Sequence, residues 1–180
     1  MSRHKVFLIN AVLSVAIFTP AASLYAADTA SAPQKAAKRA DSGSSEKLER
    51  GKYLMKIAGC NDCHTAGYMA TAGKVDEKLW LMGDTMGWRG PWGTTYAPNL
   101  RLYFDKITED QWVKTARTLE TRPPMPWFAL RAMTEQDLRA IHAYIKSRGP
   151  AGGPAPAYVP PDKEPKPPFA QFPSPPPAKK

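Results

Sequence analysis

Cysteine and histidine are scarce in this chain. Its 180 residues hold two cysteines and three histidines. The two cysteines, Cys60 and Cys63, lie so close together that none is left for a disulfide framework elsewhere. With His4 set aside in the basic N-terminus, only Cys60, Cys63, His64 and His142 remain. That is the bare minimum for a structural zinc site, which takes four such ligands. Long apolar runs are also missing. The longest, residues 6–18, is interrupted by Asn10 and stopped by Thr19-Pro20. It falls short of the roughly 18 residues of a membrane-spanning helix. No internal repeat stands out, no strand pair of consequence is visible, and basic residues do not interleave with aromatics as in single-strand binders. No nucleic-acid partner is therefore expected.

The N-terminus reads as a secretory signal. Arg3 and Lys5 precede the short apolar run, and small residues follow at Ala21, Ala22, Ser23, Ala26 and Ala27. Cleavage is expected near Ala26, giving a signal peptide over 1–26 and a periplasmic address. Residues 27–43, rich in Ala, Ser, Lys and Asp, read as a flexible linker. Residues 44–149 carry nearly all the patterned hydrophobicity and form the domain. From 150 to 180 the chain is a Pro-rich extended tail, with 12 of the 19 prolines, unfit for helix or central strand. Its aromatic residues suit docking on a partner or on this domain, and a solvated spacer is the competing reading. The formal charge of +9 includes Arg3 and Lys5 of the leader. The basic balance serves solubility, or steers toward acidic partner proteins or peripherally toward an anionic membrane face.

What is present is Cys60-Asn61-Asp62-Cys63-His64, a C-x-x-C-H run and the attachment site of a c-type haem. Two thiols two residues apart on a tight turn can each add to one haem vinyl group, and the next residue offers an imidazole nitrogen to the iron. A thioredoxin-like pair would need a βαβ context that is absent. A single motif implies one haem c per chain. Export fits, because covalent haem attachment in bacteria takes place outside the inner membrane. A small domain has little core of its own, and a buried porphyrin would serve as part of it.

Helix signals frame the motif. Residues 45–58 predict a helix with Leu48, Leu54 and Ile57 on its apolar side and Gly59 as its stop. Gly51 inside it costs roughly 1 kcal/mol against Ala, tolerable where another helix approaches closely. Thr108-Glu109-Asp110-Gln111 is a capping box with Ile107 and Trp112 as staple. Thr134 opens a last helix to residue 148, with Leu138, Ile141 and Ile145 on one face. A short helix over 76–82 is weakly signalled. The fold is expected to be mainly α, joined by long loops that wrap something.

The second axial position of the iron decides between electron transfer and ligand chemistry. Met125 is the best placed candidate. It sits in Arg122-Pro123-Pro124-Met125-Pro126-Trp127, where prolines cut the conformational freedom lost in holding a ligand. Core packing is the competing role for any methionine. Met55 and Met133 have helix and staple duties, Met69, Met82 and Met86 are fallbacks, and His142 reads as a core histidine.

The pieces Arg50-Gly51-Lys52-Tyr53-Leu54, Cys60–His64, Ala97-Pro98-Asn99-Leu100, Ile107-Thr108 with Trp112, Met125-Pro126, and Met133-Thr134 with Asp137-Leu138 and Tyr144 occur in this order over residues 46–149. In this the chain resembles class I monohaem cytochromes c, and among them the bacterial group serving membrane-associated alcohol, gluconate and aldehyde dehydrogenases. The resemblance implies that the first and last helices cross at Gly51. It implies Met125 as distal ligand, and Asn99 with some of Trp88, Trp92 and Tyr96 as supports of the distal loop or the haem propionates. A proline soon after the haem histidine, whose carbonyl orients the imidazole, is missing: the next is Pro91. The function implied is electron transfer without catalysis. Donors would be a dehydrogenase or bc-type complex, and acceptors an oxidase or another cytochrome. Alternatives are a cytochrome subunit or docking module of a dehydrogenase complex, and a haem protein with an open distal site.

Overall fold

The computed structural model describes residues 31–173, with side chains from residue 42 onward. The expected signal peptide lies outside the described residues. The chain divides into two units, Met1–Ala37 and Lys38–Lys180, and the packing below is that of the second. Among the described residues no helix is long and apolar enough to cross a membrane.

The first helix, α1, spans Ser31–Ile57. It starts well before Ser45, so residues 31–43, expected as a flexible linker, are helical from Ser31. Ala, Lys, Arg and Gln there are good helix formers, and no proline follows Pro33 within the helix. Gly51, Leu54 and Met55 are buried on one side of α1, whereas Ile57, expected on that side, is 60% exposed. Two residues are roughly 200° of helix, which turns Ile57 away from Met55. Gly59, at φ +69°, ends α1 and begins the short helix α2, Cys60–His64. The expected helix over 76–82 is only a 3₁₀ turn, Glu77–Leu79, capped by the Asp76 carboxylate.

A small sheet corrects the expectation of no strand pairs. β1 (Gly87–Gly90) and β2 (Gly93–Tyr96) form an antiparallel hairpin turning at Pro91-Trp92, with Gly93 at φ +95°. β3 (Phe169–Gln171) adds parallel to β1 in the order β2-β1-β3. Four-residue strands are too short to show alternation. β3 is the proline-free window between Pro168 and Pro173, placed at a sheet edge where flanking prolines are tolerated. Residues 150–173 thus cross this domain's own surface.

Four more helices complete the domain: α3 (Leu100–Asp105), α4 (Glu109–Thr118), α5 (Trp127–Ala132) and α6 (Glu135–Ser147). Both predicted caps are made. Thr108 and Gln111 exchange side-chain bonds with each other's backbone N–H, and Thr134 accepts from the Asp137 N–H. α6 packs on α3 and α4 and meets α1 at Gly51. Phe104, Trp112, Leu138 and Ile145 fill the core, and the Trp112 indole donates to the Leu138 carbonyl at 2.9 Å.

Glu77 ties three elements together on the outside of this core. It takes an ion pair from Lys52 of α1 at 2.5 Å and a hydrogen bond from the Tyr144 hydroxyl of α6 at 2.9 Å. The Lys52 hydrogen bond comes first in holding its carboxyl below the ordinary value, against the opposing push of burial, with Tyr144 adding to the effect. A depressed carboxylate stabilises above its unfolded pKa and loses that contribution as pH falls through the folded one. Glu77→Gln is expected to cost about 1–2 kcal/mol at pH 7, as for a charge-assisted hydrogen bond. In thermal melts the gap to the parent should close as pH falls below about 4, the ordinary glutamate range. A gap independent of pH would show that Glu77 acts through packing alone.

Candidate functional site

The C-x-x-C-H turn is built by local constraints. The Gly59 carbonyl accepts from the Asp62 N–H at 3.1 Å. A side chain at Gly59 would bring its Cβ to 3.0 Å from the Asp62 carboxylate. Asn61 and Thr65 are buried behind the turn, and the Thr65 hydroxyl donates to Asn61 Oδ1 and accepts from the Leu81 N–H, each at 2.8 Å. The His64 carbonyl accepts from the Gly83 N–H at 2.8 Å. These bonds pin the turn to the 81–83 segment and leave its other side facing a cavity.

That cavity has a volume of about 810 Å³ and a mainly apolar wall. Cys60, Cys63, His64 and Met125 all line it, so the structure brings together the four residues that the sequence singles out. Cys60 and Cys63 are not joined in a disulfide. Burial pushes the Cys60 thiol up to about 11 and raises that of Cys63 as well. Among the described residues no cluster of three or more His, Cys, Asp or Glu could hold a metal ion.

His64 is 7% exposed, and burial lowers its imidazole pKa against an opposing hydrogen bond. Its Nδ1 lies 2.8 Å from the Pro98 carbonyl oxygen. A carbonyl only accepts, so Nδ1 carries the proton and Nε2 keeps a lone pair for a metal. In the sequence the usual proline soon after the histidine is missing, so an acceptor for the ring N–H is expected there but stays unnamed. The structure supplies it from 34 positions away. Pro98 is held there because the Leu81 carbonyl receives the Leu100 N–H at 2.9 Å and Gly83 packs under Pro98. The signal was present in Ala97-Pro98-Asn99-Leu100, but nothing in sequence spacing shows the contact.

Met125 is partly buried against the core. Its loop is fastened by Thr95, whose hydroxyl donates to the Pro123 carbonyl at 2.8 Å. Met55 and Met133 also line the cavity, whereas Met69, Met82 and Met86 do not, which removes the fallbacks from its wall. His142 lies outside that wall, 8% exposed, with Nε2 3.2 Å from the Ile107 carbonyl. Trp88, Tyr96, Arg122, Pro156 and Tyr158 also line the cavity. The Trp88 indole N–H is buried without a protein partner.

These features fit a haem. The volume lies in the range of ligand pockets. The wall is mainly apolar, two cysteines line it, and the His64 Nε2 lone pair is left for a metal. The unpartnered Trp88 indole N–H suits a carboxylate, which a haem carries at one edge. The mainly helical fold and this cavity together define a protein with covalently attached haem. The family model described as Cytochrome c matches residues 48–149, and the chain belongs to the cytochrome c family. It has the class I fold and binds one haem c, whose iron supplies a one-electron couple for transfer to and from redox protein partners. Searches of curated proteins and of solved structures returned no match.

Proposed function

We propose that this cytochrome c is an exported, periplasmic electron carrier with His64 and Met125 as axial ligands. The observation that carries the reading is the placement of Met125, on its proline-stiffened loop, in the wall of the same cavity as His64. Two protein ligands leave no open position for a substrate, so the chain is no enzyme, and a methionine ligand raises the reduction potential. The leader-like residues 1–26 support export. The resemblance to cytochromes serving alcohol, gluconate and aldehyde dehydrogenases supports a membrane dehydrogenase or bc-type complex as donor. An oxidase or another cytochrome would be the acceptor.

The test is expression of the full chain with its leader in a bacterium able to mature haem c. Haem-stained protein should appear in the periplasmic fraction and titrate as a single one-electron wave. The oxidised form should show the near-infrared methionine-to-iron band. A high-spin oxidised spectrum that takes up azide freely would instead indicate an open distal site.

A further inference from the structure

Residues 150–173 form a strap with anchors at both ends. At its start, Asn99 Nδ2 donates to the carbonyls of Ala151 and Gly153 at 2.8 and 3.0 Å. At its end, β3 pairs with β1, the Phe172 N–H donates to the Arg89 carbonyl at 2.7 Å, and Arg89 pairs with Glu164 at 2.6 Å. The Phe172 ring sits 5.3 Å from Trp92.

Between these anchors the strap passes the Met125 loop. Thr94 and Val159 exchange both backbone hydrogen bonds, at 2.7 and 3.0 Å. They fix Tyr158 over Gly93, where a Cβ would come within 2.7 Å of the Tyr158 hydroxyl. That hydroxyl donates to the Trp92 carbonyl at 2.8 Å. The ring carries the Arg122 guanidinium at 4.0 Å from its centroid. Arg122 stands three residues before Met125, and the intervening Pro123 carbonyl is bound by Thr95, next to Thr94 on β2. The loop is therefore gripped from one strand by the Thr95 hydroxyl and from the strap by the face of Tyr158. Pro156 and Tyr158 both line the cavity beside it.

We propose that Tyr158 is a positioning residue for the distal ligand: through Arg122 it holds the Met125 loop closed on the haem. This rests on the reading of Met125 as the ligand. Release of methionine requires the loop to open, and the strap lowers the population of open loop. An external ligand competing for that position then binds with an affinity scaled by the open fraction. Tyr158 touches no reacting atom in this role; it acts only on the loop.

The experiment is imidazole titration of the oxidised holoprotein, followed by loss of the near-infrared methionine band. Tyr158→Ala and Arg122→Gln should each tighten apparent imidazole binding roughly two- to fivefold, the size of an exposed cation–π contact. The double variant should go no further than either one. Tyr158→Phe keeps the ring face and should restore the parent affinity. Truncation after Gly149 removes the whole strap and should tighten binding beyond the single variants. Glu77→Gln, destabilised at a distance from the loop, is the control for general loosening and should leave imidazole affinity unchanged. Parent-like affinity in both Tyr158→Ala and the truncation overturns the clamp, as does equal tightening in the control. Persistence of the band in Met125→Leu overturns the ligand reading instead, and the clamp with it.

Discussion

Met125→Leu is expected to abolish the near-infrared methionine-to-iron band while leaving the haem attached and the helices formed. Leucine keeps the apolar volume of this half-buried side chain, and such exchanges usually cost less than about 1.5 kcal/mol. What it removes is the thioether sulfur. The midpoint potential should fall by more than about 60 mV, a tenfold change in a one-electron equilibrium. The comparison that decides is with the other methionines of the wall. Met133 follows the last turn of α5 as its C-cap, and Met55 is fully buried within α1. Both are held by regular structure, whereas Met125 is on a loop fastened by its neighbours. Met133→Leu should keep the band, as should Met82→Leu, whose side chain lies off the wall. An intact band in Met125→Leu would falsify the assignment, and its loss in Met133→Leu alone would move the ligand there. The Cys60 and Cys63 attachments are untouched in every variant, so the pyridine haemochrome spectrum should be the same throughout.

The parts of this site that were legible are those written in contiguous residues. Cys60–His64 declares its chemistry by spacing, and the Thr108 and Thr134 caps declare where two helices begin. Met125 was legible as a candidate because its prolines adjoin it. What escaped depended on chain segments meeting at a distance. The Pro98 carbonyol contact needs the 81–83 segment to lie beside both the haem turn and α3. The hairpin was hidden because four-residue strands do not outlast the noise of alternation. The strap was hidden for another reason: proline content predicts an extended chain but is silent about where that chain lies. Tyr158 and Phe169–Gln171 are placed by partners in β1, β2 and the Met125 loop, all more than 30 residues away in sequence. The early start of α1 at Ser31 is a different case, in which composition suggesting a linker also contained good helix formers.

Gly51→Ala should be strongly destabilising although alanine is the better helix former. Helix propensity alone would favour the substitution by roughly 1 kcal/mol. The added Cβ, however, would fall 2.2 Å from the Ala140 carbonyl oxygen and 2.5 Å from the Tyr144 Cβ, both on α6. The first of these is backbone and the second is attached directly to it, so neither can swing aside as the end of a flexible side chain would. α1 and α6 must separate. Overpacking of this kind typically costs about 1–3 kcal/mol and occasionally more. With both contacts fixed to the backbone the upper end applies, and the net loss expected is about 2 kcal/mol, or a melting temperature lower by roughly 5–10 °C for a domain between the small and large size classes. Gly43 supplies the contrast, since it lies on the same helix and a Cβ there meets nothing within 4 Å. Gly43→Ala should therefore raise the melting point slightly, by propensity alone. The consequence reaches the haem, because Met55 and Cys60, at and just beyond the end of α1, both line the cavity. Displacing α1 from α6 moves them together, so Gly51→Ala should also change the midpoint potential while Gly43→Ala leaves it alone. A Gly51→Ala protein as stable as the parent would mean that the two helices do not cross this closely.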